Sequence, residues 1–180
     1  MLANLPLFYL LLFSGSIIFS LLINSLLLKF ARTLGIRNNP ELQIRWSNSV
    51  KPALGGISFY LTFLILFLLS DLLLSAPFDN FSTVGRIAFL CSLTIAFLLG
   101  LSDDAFDTKP LIKFSAQVVC SILLILGGIK INCFESEFLN YAMTSLWVVA
   151  IMNSFNMLDN MDAIATVTAI GIISYFILAD

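Results

Sequence analysis

The sequence contains no histidine, which removes the commonest general base and the commonest transition-metal ligand. Catalytic work is thereby left to carboxylates, amides, Lys and Arg. Charge is scarce as well. Only 11% of the 180 residues are charged, whereas a soluble domain carries roughly 25%. With 59% hydrophobic residues, the composition predicts a polytopic membrane protein with no soluble domain. The net charge of -2 and the lack of any extended basic face exclude a nucleic-acid partner. Cysteine is limited to three positions with no metal or disulfide spacing. Cys91 and Cys120 fall in apolar runs and Cys133 in a short polar connection, so all three are read as free thiols. No internal repeat or low-complexity tract is present. What the chain does have is phenylalanine, 17 residues of it, which suits lipid-facing and helix-packing surfaces and carries no chemistry of its own.

Six apolar runs, at about 7–28, 52–74, 84–100, 111–129, 141–158 and 163–179, predict an all-α polytopic transmembrane helical bundle forming a single integral-membrane domain. The first 28 residues carry no charge, a run too long for a signal-peptide core and without basic residues at its start. The longest polar segment, 30–51, contains the Asn38-Asn39-Pro40 turn signal. Gly55 and Gly56 open the second run and allow close backbone approach. Sidedness follows from the basic residues. Lys29, Arg32, Arg37, Arg45, Lys51, Lys109 and Lys113, seven of the nine, lie at the ends of runs one and three or the starts that follow them. Arg86 and Lys130 share the other side with Asp71, Asp79, Glu135 and Glu137. The positive-inside rule puts the first set in the cytoplasm.

On that side the third and fourth runs are joined by GLSDDAFDTKPLIKFSAQ at 100–117, which holds Asp103, Asp104 and Asp107 within five residues. Carboxylates so close raise one another's proton affinity unless a cation intervenes. As hard oxygen ligands they suit Mg²⁺, which takes one or two carboxylates and shares its remaining positions with water and phosphate. If the helix continues, Asp103 and Asp107 share a face and Asp104 lies about 100° round from it. Pro110 suits the first turn of the next helix. A solvated interhelical loop is the plain alternative. The fifth run delivers NSFNMLDNMD at 153–162 to the same side, where Asn153, Asn156, Asp159 and Asp162 recur every three residues. On a helix these form a slanting polar stripe facing other helices or a cavity. Amides that merely glue helices together are the alternative here.

Taken together, KPALGGI at 51–57, the DDAFD loop with its downstream Lys-Pro and Gln, and NSFNMLDNMD resemble the signatures of the polyprenyl-phosphate N-acetylhexosamine-1-phosphate transferases, the glycosyltransferase 4 type. The resemblance runs in the family's order along essentially the whole chain. It implies an Mg²⁺-dependent enzyme (Mn²⁺ being an admissible substitute) of the inner or plasma membrane, multi-pass, with its active site facing the cytoplasm. The implied reaction transfers a sugar-1-phosphate from a UDP-N-acetylhexosamine to polyprenyl phosphate, releasing UMP and initiating cell-envelope glycan synthesis. It further implies that Asp103, Asp104 and Asp159 are catalytic and metal-binding, and that Lys51, Asp107, Lys113, Asn153, Asn156 and Asp162 contact substrates. A positive-inside role accounts equally well for either lysine. Asp107, in the last position of the DDAFD motif, makes the chain more similar to the N-acetylglucosamine-1-phosphate branch than to the muramoyl-pentapeptide branch. Partners beyond the lipid acceptor, the UDP-sugar and membrane lipids are limited to a homodimer, which the sequence leaves open.

Two departures stand out. Asn160 and Ala163 occupy positions where the family pattern has glycine, and Ala163 is expected to resist a left-handed backbone. Family members also have roughly ten spans, a further aspartate and a His-rich loop. A chain of six runs with no histidine is therefore expected to be the N-terminal portion of such an enzyme, truncated and inactive by itself. The rival readings are a non-catalytic remnant and a cation-coupled transporter, the latter of which favours midplane carboxylates and internal repeats.

Overall fold

The computed structural model describes residues 5–33, 55–73, 82–106, 108–158 and 163–179, with the side chains of Asp104 and some residues near helix ends outside that description. The all-α expectation holds. The described residues form six helices, α1 (Leu5–Thr33), α2 (Gly55–Leu73), α3 (Thr83–Phe106), α4 (Pro110–Leu126), α5 (Glu137–Leu158) and α6 (Ile164–Ala179), and contain no strand. A helix satisfies its own backbone polar groups, which hydrocarbon requires of any spanning segment. Among the described residues three stretches, Tyr9–Lys29, Thr83–Asp103 and Glu137–Leu158, are long and apolar enough to cross a membrane. The apolar stretches Gly56–Ser70, Pro110–Leu126 and Ile164–Ala179 are shorter. Both the composition and these helices make this a membrane protein.

The chain divides into two compact units, 1–80 and 81–180. In the first, α1 packs on α2. The buried face of α2 is built from Ser58, Thr62, Phe67 and Ser70, small or hydroxyl-bearing apart from the phenylalanine. Small side chains let backbones approach where no hydrophobic drive separates helix from lipid. The Ser70 hydroxyl donates back to the Phe67 carbonyl (2.8 Å), and the Phe63 and Phe67 rings stack at 5.8 Å.

In the second unit α3 packs on α4, α4 on α5, and α5 on α6. Ser82 caps α3, its hydroxyl accepting the Gly85 N–H at 3.0 Å. The α3–α4 crossing is made by small residues. The Ser92 hydroxyl donates to the Cys120 carbonyl (3.2 Å), and the Cys120 thiol donates in return to the Ser92 carbonyl (3.5 Å). Cys91, Cys120 and Cys133 are all free thiols. At the end of this crossing α4 stops in a Schellman motif. The Ile129 N–H reaches the Leu124 carbonyl, the Gly128 N–H the Ile125 carbonyl, and Gly128 takes φ 80. Gly127 beside it lies against α3, where a Cβ would stand 2.5 Å from Ala88 Cβ and 3.1 Å from the Gly85 Cα. Gly127→Ala is therefore expected to push the two helices apart and destabilise the protein by about 1–3 kcal/mol. Thermal unfolding in detergent reads this directly, and an unchanged midpoint would contradict it.

The turn from α4 to α5 is fixed from the first two turns of α5. The Asn140 side-chain oxygen accepts the Cys133 and Phe134 N–H groups (3.2 and 2.9 Å), and its amide donates to the Phe134 carbonyl (2.9 Å). Thr144 accepts the Ile131 N–H at 2.9 Å. Lys130 pairs with Glu137 and lies 5.0 Å above the Tyr141 ring. With this turn at one end of the unit, the end of α3, the start of α4 and the end of α5 meet at the other.

α6 buries none of its residues. Its first hydrogen bond runs from the Val167 N–H to the carbonyl of Ala163, which has φ 67. Alanine thus adopts the left-handed conformation it was expected to resist. That conformation costs a Cβ-bearing residue about 1–2 kcal/mol. Ala163→Gly is expected to recover about 1 kcal/mol of that, measured as a raised unfolding midpoint. A lower midpoint would contradict the strain.

Candidate active site

The functional end of the second unit begins with α3, which does not stop where its apolar run ends at Gly100. It continues through Phe106, so Asp103 and Asp104 are helical residues carried past the hydrophobic stretch. The chain then turns within three residues. Lys109, extended at φ -59 and ψ 140, precedes Pro110, which opens α4 in the position where its missing N–H costs nothing. This short turn brings α4 back beside the end of α3.

Asp103 organises the turn. Its Oδ1 accepts the Thr108 N–H (3.2 Å) and the Thr108 hydroxyl (2.9 Å), and pairs with Lys113 Nζ at 2.6 Å. The two charged side chains retain 21% and 23% of their exposure, so the pair is partly withdrawn from solvent. Asp103 and Lys113 line a cavity of about 350 Å³ whose wall is completed by Leu99, Gln117, Phe155 and Asn156, among others. A second cavity of about 300 Å³ adjoins along α4 and α5, lined by Pro110, Lys113, Phe114, Gln117, Val149, Ala150 and Asn153. Lys113 and Gln117 are common to both.

Of the residues singled out in the sequence, Asp103, Lys113 and Asn156 therefore meet in one cavity, with Asn153 in its neighbour. The polar stripe of α5 is divided between the two. Asp104 is on the last turn of α3, its side chain outside the described residues. Lys51, Asp107, Asp159 and Asp162 lie outside the described residues altogether, as does the continuation of the stripe past Leu158. Thr108 was not singled out, and Gln117 entered only as the downstream Gln of the DDAFD segment, with no role assigned. Thr108 carries no signal of its own in the sequence. Gln117 does, since it follows Lys113 by four residues and so shares its face of α4.

The cavity pairs a cation with an anion at the exit of a membrane helix. Asp103 holds the Lys113 ammonium in place, and an ammonium so placed is suited to an anion with several oxygens. For a metal ion the donor set is hard oxygen, as Mg²⁺ prefers. All the described contacts of Asp103 fall on Oδ1, and its Oδ2 has no partner among the described residues. That oxygen fits a divalent cation. No group of three or more acidic, cysteine or histidine side chains converges among the described residues.

The sequence profile of glycosyl transferase family 4 matches residues 86–179, slightly more than half of the chain. A probable undecaprenyl-phosphate N-acetylglucosaminyl 1-phosphate transferase of Bacillus subtilis is 23% identical over 177 residues, covering 93% of this chain and 47% of that protein. The undecaprenyl-phosphate alpha-N-acetylglucosaminyl 1-phosphate transferases of Thermotoga maritima and Escherichia coli O157:H7 are 27% and 26% identical, each covering 82% of this chain and 44% and 42% of their own lengths. The chain thus spans less than half the length of these relatives. No solved structure is significantly similar to it.

Proposed function

The chain belongs to glycosyl transferase family 4, and we propose that it serves the transfer of N-acetylglucosamine-1-phosphate from UDP-N-acetylglucosamine to undecaprenyl phosphate at the cytoplasmic face of the membrane. The observation that carries this reading is the Asp103–Lys113 pair, set in a cavity with Asn156 where three helices end. In the reaction an oxygen of the lipid phosphate attacks the β-phosphorus of the UDP-sugar. The bond from that phosphorus to the bridging oxygen breaks, UMP leaves with the oxygen, and a polyprenyl-diphospho-sugar remains. Both reactants are anions, so the site has to offset their repulsion and position them in line. The lipid arrives from the bilayer and the nucleotide from the cytosol, which favours a site at helix ends.

Lys113 binds a phosphate oxygen, and Asp103 with Thr108 fixes the turn that aims it. Asn153 and Asn156 offer amide donors and acceptors to the nucleotide or sugar. Asp103, Asp104 and Asp159 are the residues to hold Mg²⁺, which when bound supplies charge neutralisation at the transferring phosphoryl group. Lys51, Asp107 and Asp162 are assigned substrate contacts by their place in the motifs.

In membranes carrying the full-length protein, UMP release from UDP-N-acetylglucosamine is expected only when polyprenyl phosphate and Mg²⁺ are both present. Release without the lipid, or undiminished release in excess chelator, would contradict the proposal. Sidedness has its own test. In a background with Cys91, Cys120 and Cys133 replaced by serine, Ala105→Cys is expected to react with an impermeant maleimide from the cytoplasmic side only, and Ser136→Cys from the opposite side only. Labelling of both from one side would break it.

A further inference from the structure

Gln117 lies in the middle of α4, is only 4% exposed, and lines both cavities. Its carboxamide brings two N–H donors and a carbonyl acceptor that no described group engages, and among the described residues the one fully enclosed side-chain polar atom without a partner is Thr62 Oγ1, so the Gln117 amide is open to cavity space. The other buried polar side chains of this unit behave differently. Ser92, Ser121, Asn140 and Thr144 all have hydrogen-bond partners within it. Buried polar groups are overwhelmingly hydrogen-bonded, so an amide without a protein partner on a cavity wall is open to water or to a ligand. A buried amide facing two cavities with nothing to bond is a binding group awaiting its ligand.

The surroundings specify what that ligand is. Lys113 stands one helical turn before Gln117 on the same face, so an ammonium and an amide N–H line the same two cavities. Two donors of this kind, one cationic, suit an anion with several oxygens. Asp103 lines the first cavity as well, with its charge matched by Lys113. The second cavity adds Phe114, Val149 and Ala150, an apolar wall beside the polar one. We propose that Gln117 is a substrate-binding residue whose carboxamide N–H donates to a phosphate oxygen held by Lys113. This rests on reading the Asp103 cavity as the phosphate site, and it adds to that reading a second donor on α4. The phosphate belongs either to the lipid acceptor or to the UDP-sugar.

The test uses the full-length protein in nanodiscs of neutral lipid, with farnesyl phosphate, farnesol and UDP-N-acetylglucosamine as probes and dissociation constants measured for each. Wild type is expected to prefer farnesyl phosphate to farnesol. Gln117→Leu is expected to weaken the phosphate-bearing probe that Gln117 contacts about tenfold, the value of one hydrogen bond to a charged group. Binding of farnesol is expected to stay unchanged. Gln117→Glu, which sets a carboxylate against the phosphate, is expected to weaken it further. A loss confined to farnesyl phosphate assigns the contact to the lipid, and a loss confined to UDP-N-acetylglucosamine assigns it to the nucleotide. Without ligand, Gln117→Leu is expected to unfold at a temperature no lower than wild type, because an unpaired amide has been removed from the interior. A purely structural glutamine would instead show a lowered midpoint with unchanged affinities, and that result overturns the proposal. If Lys113→Met loses the phosphate preference while Gln117→Leu keeps it, the cavity reading stands and the role of Gln117 falls. If wild type shows no phosphate preference at all, both fall.

Discussion

Replacing Asp103 with asparagine is expected to lower the rate of sugar-1-phosphate transfer by about 10²-fold or more, the usual cost of losing one electrostatic contribution to phosphoryl transfer. The substitution keeps the shape of the side chain and an oxygen able to accept the Thr108 N–H. What it removes is the negative charge, and with it the ion pair to Lys113 and the hard-oxygen character of Oδ2. The turn between α3 and α4 is held by Pro110 as well, so the fold is expected to survive. A partly exposed ion pair contributes little to stability, about 0–1 kcal/mol. Glu135→Gln, in the turn at the opposite end of α4, is the control and is expected to change the rate little. Equal activity in both variants would remove Asp103 from the site.

Lys113→Met is expected to act differently. Its loss takes away the cation that meets a phosphate, and a hydrogen bond to a charged group is worth about 1.5–3 kcal/mol, or about 10- to 100-fold. The effect should fall on KM for the phosphate-bearing substrate at least as much as on kcat, because binding and transition state both need the contact. It also leaves Asp103 without its counter-charge beside the same cavity, where an incoming anion then meets a bare carboxylate. Lys113→Arg keeps the charge and is expected to retain most of the binding. If Lys113 serves only to mark the cytoplasmic side, both variants will show wild-type KM, and steady-state kinetics over a range of lipid concentrations decides between the two roles.

The architecture was legible because apolar runs of this length in a chain so poor in charge permit little besides membrane helices. The ends of those helices were less so. The third run ends at Gly100 as a hydropathy pattern, yet the helix continues through Phe106, because Ser102, Asp103 and Asp104 can leave the apolar stretch without breaking the backbone ladder. For the same reason the sequence could name Asp103 but not its partner. Lys113 is ten residues away, and only the tight turn through Lys109 and Pro110 brings it to 2.6 Å. As a sequence position, Lys113 was equally well explained by sidedness. Gln117 lies within an apolar run, at the end of the segment that follows DDAFD. Its burial depends on how α4 packs between α3 and α5, a tertiary property that no local pattern encodes. Ala163 is the opposite case. The alanine was expected to resist φ > 0, and the structure holds it at 67° regardless, a conformation that local preference alone does not predict.

The decisive measurement follows the phosphorus. UDP-N-acetylglucosamine labelled with ³²P at the β-phosphate is incubated with membranes carrying the full-length protein, undecaprenyl phosphate and Mg²⁺, and the solvent-soluble lipid is separated from the aqueous nucleotide. Sugar-1-phosphate transfer breaks the bond between the two phosphates, so the label is expected in the lipid fraction and the UMP is expected to be unlabelled. Both signals should fall together in the Asp103→Asn protein. Label retained in UDP while sugar enters the lipid would mean that only the sugar moves, and lipid without either label or sugar would mean that the cavity at Asp103 and Lys113 does not serve this chemistry.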